Sequence, residues 1–163
     1  MPDYYRRIEK KTADFLALCC EMGAIISQAD EAVSKALYTY GHSIGMAFQI
    51  TDDLLDILAD AERIGKPAGN DIRQGIVTLP VIRALDTSPY SAELMAIVTD
   101  PEMTDAMVSR ALEIVRSSDG IAFAQAQADE YLRLAKQALP KGLPPEAEKA
   151  FLQAADFIGK REF

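Results

Sequence analysis

From Gly41 to Asp60 the chain reads GHSIGMAFQITDDLLDILAD, an apolar run interrupted by Gln49, Asp52, Asp53 and Asp56. These four stand at i, i+3, i+4 and i+7, the spacing that shares one face of a helix. Around them lie Ile44, Met46, Phe48, Ile50, Leu54, Leu55, Ile57 and Leu58, so the helix is expected to be mostly buried. Carboxylates crowded on such a helix repel one another and lose hydration, and something must neutralise them. A hard divalent cation does this with oxygen ligands, and Mg²⁺ in particular shares one or two carboxylates with substrate phosphates. Asp52 and Asp56 stack at i, i+4, which suits two oxygens on one ion. The alternative is an amphipathic helix whose acids only face water. Against it, Asp is a poor helix former in mid-helix, and Ile44–Ile50 carries no solvated face of its own. Two further stretches offer cations and hydroxyls: Lys11-Thr12 upstream and Gly65-Lys66-Pro67 downstream. Each could be solvated surface, or could meet a phosphate, Lys66 as a compact point charge.

The elements that must position these residues are helical. Ala, Leu and Ile dominate, Trp is absent and strand-like alternation is scarce, so the fold class is all-α. A first helix is expected from a cap at Asp3 to about Gln28, with Lys11-Thr12 early in it. A second runs from a cap at Asp30 to about Asp60, with Gly41, Gly45 and Ala47 permitting close helix contact or leaving room for an apolar ligand. Glu62–Gly75 reads as a loop, since Pro67 blocks helix through it. Thr78 is expected to cap a short helix with Pro80 in its first turn, ending near Asp86. Further helices are expected at Tyr90–Thr99, Thr104–Ser117, Ile121–Ala138 and Pro145–Lys160, separated by Gly and Pro joints.

Size and composition exclude several classes of function. The 163 residues amount to one domain's length, 49% hydrophobic and 26% charged, which rules out wholesale disorder. The net charge of −8 argues against a nucleic-acid partner, which needs a basic footprint. An anionic substrate stays open, because a bound metal and a few lysines reverse the local sign. No apolar window is long enough for a transmembrane span, and Met1–Lys11 is too charged for a signal peptide. Cys19 and Cys20 are adjacent with no further cysteine, so they read as reduced thiols of a cytoplasmic protein. His42 has no Cys or His companion and reads as a core or surface residue.

FQITDDLLD at Phe48–Asp56 resembles the second aspartate-rich motif of the trans-type polyprenyl diphosphate synthases, which have the isoprenoid synthase fold. KTADF at Lys11–Phe15, GAIIS at Gly23–Ser27 and GKPAGNDIRQGIVTLPVIRAL at Gly65–Leu85 resemble the same family, in its order and near its spacing. The string from Gly65 is most similar to bacterial medium- and long-chain synthases of heptaprenyl and octaprenyl type. The resemblance implies that Asp52, Asp53 and Asp56 bind Mg²⁺. It implies that Lys11, Thr12, Gln49 and Lys66 meet the allylic diphosphate, with Phe48 beside Gln49 in the active-site wall. Asn70-Asp71 would order the loop, Asp71 facing either the metals or the loop itself. Ile76 departs from the family, many members having Lys there. In some relatives a basic C-terminus folds over the diphosphate, as Lys160-Arg161 could here.

A larger departure is that no second aspartate-rich motif precedes Lys11, nor the residues that hold isopentenyl diphosphate in the family. The chain therefore resembles the C-terminal half of a synthase, a single partial domain over 1–163. The reaction implied is condensation of isopentenyl diphosphate with an allylic prenyl diphosphate. This chain would be inactive alone and would need the N-terminal half or a complementary subunit, as part of a homo- or heterodimer. Two other readings share these residues. A non-catalytic scaffolding subunit has little need of intact aspartates. A class I terpene cyclase relative usually carries an NSE-type motif in this position.

Overall fold

Apolar residues at helical spacing, punctuated by Gly and Pro, leave the chain little alternative to stacked helices. The computed structural model describes residues 1–58 and 68–160, and every regular element in them is helical. In order these are α1 (Pro2–Ile8), a π-helical turn (Glu9–Ala13), α2 (Asp14–Ile26), α3 (Glu31–Leu58) and α4 (Asn70–Arg73). There follow α5 (Leu79–Thr87), α6 (Ser91–Val98), α7 (Asp105–Arg116), α8 (Gly120–Ala138) and α9 (Pro145–Gly159). From α5 onward each boundary lies within a residue or two of its sequence expectation, because capping residues and prolines mark both ends. Pro80 and Pro145 occupy first-turn positions where no N–H is missed. Thr104 caps α7 by accepting the N–H of Met107 at 3.3 Å. Thr78 occupies the cap position of α5 without making the cap bond, and its buried Oγ1 has no partner among the described residues.

The described residues form two compact units. One comprises Asp52–Ala126. Its core gathers Ile57, Ile72, Val81, Ala84, Leu94, Ile114 and Val115, all nearly or fully sealed from solvent. Gly120 opens α8 against α5 so closely that a Cβ there would collide with the carbonyl of Pro80. The other unit comprises Pro2–Thr51 and, among the described residues, 127–160. Its core joins Tyr40, Ile44 and Ala47 of α3 to Leu132 and Ala135 of α8 and Ala155 and Ile158 of α9. The Tyr40 hydroxyl donates to the carbonyl of Phe151 at 2.6 Å, and the two rings meet edge to face at 4.9 Å. Burial holds the Tyr40 phenol far above its usual range.

Helix α2 is apolar on two sides. Ala17 and Ala24 are buried, whereas Phe15, Leu18, Met22, Ile25 and Ile26 are each at least half exposed. The exposed set recurs at helical spacing and makes one continuous stripe, the pattern of a surface that another helix covers. Cys19 is exposed beside that stripe, and Cys20 is half-buried, its thiol pKa raised first by burial and then by Cys19. Since the thiolate is the reactive form, Cys19 should react with Ellman's reagent at neutral pH roughly tenfold or more faster than Cys20. A two-phase time course that a Cys19→Ser substitution reduces to its slow phase is the expected result.

Candidate active site

The first helix of the sequence reading is not continuous. At Glu9–Ala13 it widens into a π turn, in which the N–H of Asp14 donates to the carbonyl of Glu9. Such single-turn widenings cluster at functional positions, and this one carries Lys11, exposed, and Thr12, partly buried. The turn is seated by Ala13, which is fully buried and faces Gly45 of α3. A Cβ at Gly45 would lie 2.5 Å from the Cα of Ala13, so only glycine admits this approach. One turn earlier a Cβ at Gly41 would lie 2.5 Å from the carbonyl oxygen of Leu16. The small residues of α3 therefore serve close helix contact, one of the two uses their types suggested.

The π turn also changes what faces His42. Five residues apart, Glu9 and Asp14 would point to different sides of an α-helix, yet here both approach the same imidazole. Nε2 of His42 lies 3.4 Å from Oε1 of Glu9, and ligand atoms of Glu9, Asp14 and His42 all fall within 4.8 Å of one another. Lys10 holds Asp14 from outside at 2.7 Å. His42, read from the sequence as a core or surface residue without Cys or His companions, has two carboxylates as neighbours. Only the widened helix turn reveals them.

Further along α3, Gln49 is buried at 4% exposure and Phe48 is half-buried, packed on the Tyr40–Ile44–Ala47 core. Both belong to the same unit as Lys11 and Thr12.

The three aspartates belong to the other unit. Their helix is as buried as the apolar run implied, with Ile50, Leu54 and Ile57 fully sealed. The carboxylates themselves are not: Asp52 is exposed, and Asp53 and Asp56 are partly so. The expected desolvation penalty is therefore largely absent, because the acids lie on a part of α3 that reaches water. Two exposed or half-exposed carboxylates in successive positions supply hard oxygen donors of the kind Mg²⁺ and Ca²⁺ take. Asp56 is engaged differently. Its Oδ1 accepts the N–H of Asn70 at 3.0 Å and its Oδ2 the N–H of Asp71 at 3.1 Å. These bonds start α4, a helix inside the stretch whose glycines and proline predict a loop. Asn and Asp are weak helix formers, and a helix this short takes its cap from a distant residue.

Lys66 and Arg161 lie outside the described residues, and Lys160 is exposed at the end of α9. Several arginines that could meet an anion are engaged by acids: Arg83 forks onto Asp119, Arg110 onto Glu93, and Arg73 pairs with Asp105. Their contribution is to tie surface helices together.

The described residues are thus an all-helical scaffold that carries aspartates on an exposed part of α3 and a Lys-Thr pair on a widened turn. The family model for polyprenyl synthetase matches residues 1–115, and the chain belongs to that family. Its sequence is 40% identical to heptaprenyl diphosphate synthase component 2 of Bacillus subtilis, over 98% of this chain and 45% of that protein. The heptaprenyl diphosphate synthase from Staphylococcus aureus superposes with a TM-score of 0.87 at 31% identity, over 100% of this chain and 51% of that one. A geranylgeranyl pyrophosphate synthase from Corynebacterium glutamicum, complexed with calcium and isoprenyl diphosphate, superposes at 0.85 with 33% identity, over 97% and 49%. The chain spans about half the length of the curated relatives it matches. Among the described residues no helix is long and apolar enough to cross a membrane.

Proposed function

We propose that this chain is the C-terminal half of a trans-polyprenyl diphosphate synthase, which joins isopentenyl diphosphate to an allylic diphosphate. The observation that carries this reading is the pairing of exposed Asp52 with partly exposed Asp53 on a stretch of α3 whose Ile50, Leu54 and Ile57 are sealed. Those two would hold Mg²⁺, with Asp56 completing the acidic face. The ion supplies Lewis-acid charge stabilisation as the allylic diphosphate departs. Lys11 and Thr12 bind and orient that diphosphate from the π turn, one by charge and one by hydroxyl. Lys66 adds a second ammonium from the segment after α3. Gln49 donates from a dry position, and Phe48 walls the site with an aromatic surface that keeps water from the carbocation. The opposing metal motif and the isopentenyl diphosphate pocket would come from the other half, in whichever polypeptide it resides. The reduced thiols suit the cytoplasm.

The test is a mixing assay with Mg²⁺, isopentenyl diphosphate and an allylic diphosphate, read by mass spectrometry. Elongation is expected only when the chain is combined with a synthase N-terminal half, and elongation by the lone chain would overturn the proposal. The exposed stripe of α2 is the expected seat of that half. Leu18→Asp with Ile25→Asp should weaken association by roughly 30-fold or more, the effect of losing apolar anchors at an interface. Both side chains are at least half exposed, so helix content by circular dichroism should stay unchanged.

A further inference from the structure

Glu9, Asp14 and His42 have no part in the roles given above to the aspartates of α3 or to Lys11 and Thr12. They come from three elements: Glu9 opens the π turn, Asp14 begins α2 and His42 lies in the middle of α3. All three belong to the unit that contains Pro2–Thr51. Their ligand atoms fall within 4.8 Å of one another, and Nε2 of His42 stands 3.4 Å from Oε1 of Glu9. That spacing is long for an ion pair. A charged nitrogen donor closes on a carboxylate to about 2.7–2.9 Å, as Lys10 does on Asp14 at 2.7 Å beside it. The spacing fits two donors on one ion instead. Bonds of about 2.0–2.1 Å at a tetrahedral angle set their ligand atoms about 3.3–3.4 Å apart.

The donor types point the same way. An imidazole nitrogen with two carboxylate oxygens suits Zn²⁺ and its neighbours in the first transition row, whereas Mg²⁺ takes oxygen donors and keeps several waters. All three side chains are partly buried, so the cluster is shielded yet still reached by water. Lys10 is a weak competitor for Asp14, because its side chain is 69% exposed and exposed pairs contribute little.

We infer that Glu9, Asp14 and His42 bind a divalent transition metal of the Zn²⁺ type, and that the ion pins the π turn to α3. The imidazole ligates through Nε2 as the neutral ring, and water fills the open position. Lys11 and Thr12 lie between the two carboxylate ligands along the chain, so the metal holds the turn that carries them. The site is separate from the aspartates of α3 in place and in donor chemistry, and it does not rest on the proposed function.

His42 is the single histidine of the chain, so its ring nitrogens give one imidazole signal set in a ¹⁵N NMR spectrum. The test titrates the whole chain with Zn²⁺ in a background of excess Mg²⁺, which occupies oxygen-only sites. The Nε2 resonance should move to a metal-bound position with Zn²⁺ and stay in place with Mg²⁺ alone. Glu9→Gln and Asp14→Asn should each lower Zn²⁺ affinity about tenfold or more, and Asp52→Asn should leave it unchanged. At Zn²⁺ ten times its Kd, exchange of the Asp14 amide, which donates across the π turn to Glu9, should slow about tenfold, since opening the turn breaks the site. Co²⁺ in place of Zn²⁺ should give visible bands without a thiolate charge-transfer band in the near ultraviolet. Such a band would put the metal on Cys19 and Cys20 and overturn the inference. So would a parent chain of full helix content whose Nε2 signal ignores Zn²⁺, or full affinity retained in both carboxylate variants. Unchanged exchange at Asp14 would overturn the pinning of the turn.

Discussion

Asp52→Asn, in the chain combined with its complementary half, should lower the rate of prenyl elongation by about 10²–10⁴-fold while leaving assembly intact. The magnitude follows from the several kcal/mol that a metal contributes to a developing charge, at about 1.4 kcal/mol per decade of rate. Asp52 is exposed and Asn is nearly isosteric, so the substitution removes a formal charge without leaving a cavity. Its effect should therefore appear in kcat and not in the melting temperature. Steady-state kinetics at saturating Mg²⁺, beside thermal denaturation of the same samples, separates the two. A variant that retains near-parent kcat would move the metal to other residues. Added chelator should silence the parent mixture to the same floor, since both manipulations remove the same charge.

The second large effect is structural and falls on Gly45. Replacing it with Val places branched carbon where even a Cβ would lie 2.5 Å from the Cα of Ala13 and 3.1 Å from its Cβ. Backbone cannot yield as a flexible side chain does, so α3 and the π turn must separate. Forcing extra methyl groups into a packed interior costs about 1–3 kcal/mol, and a collision with main chain belongs at or above the top of that range. A melting temperature lower by several degrees is expected. Lys11 and Thr12 ride on the same turn, so the KM for the allylic diphosphate in the mixed enzyme should rise as well. Gly23→Val is the natural control, because a Cβ there meets nothing within 4 Å. It should lower stability far less, and equal losses in the two variants would show that close approach at Gly45 is not the cause.

Much of this protein was legible from local chemistry. The helices from α5 to α9 announce their ends with Thr104, Gly120, Pro80 and Pro145, because capping and proline geometry act within a few residues. The aspartate face was equally plain, since helical register is arithmetic on sequence positions. Three features were not. The π turn at Glu9–Ala13 inserts a widening that hydrophobic periodicity does not resolve, and with it came the meeting of Glu9, Asp14 and His42. Helix α4 comprises only NDIR, and its stability comes from an acceptor on α3. The exposure of Asp52 beside the sealed Leu54 depended on which strip of α3 the neighbouring helices cover.

The sequence by itself determined the helical class, the order of the long helices and the acidic face of α3. Each of these follows from spacing along the chain. The tertiary structure decided which polar groups are committed and which are open to solvent. Asp56 shows why: its type and register match those of Asp52, yet Gly69–Asp71 come to it across a separation in sequence that no local rule spans. A carboxylate's role depends on the donors that reach it, and packing brings the donors.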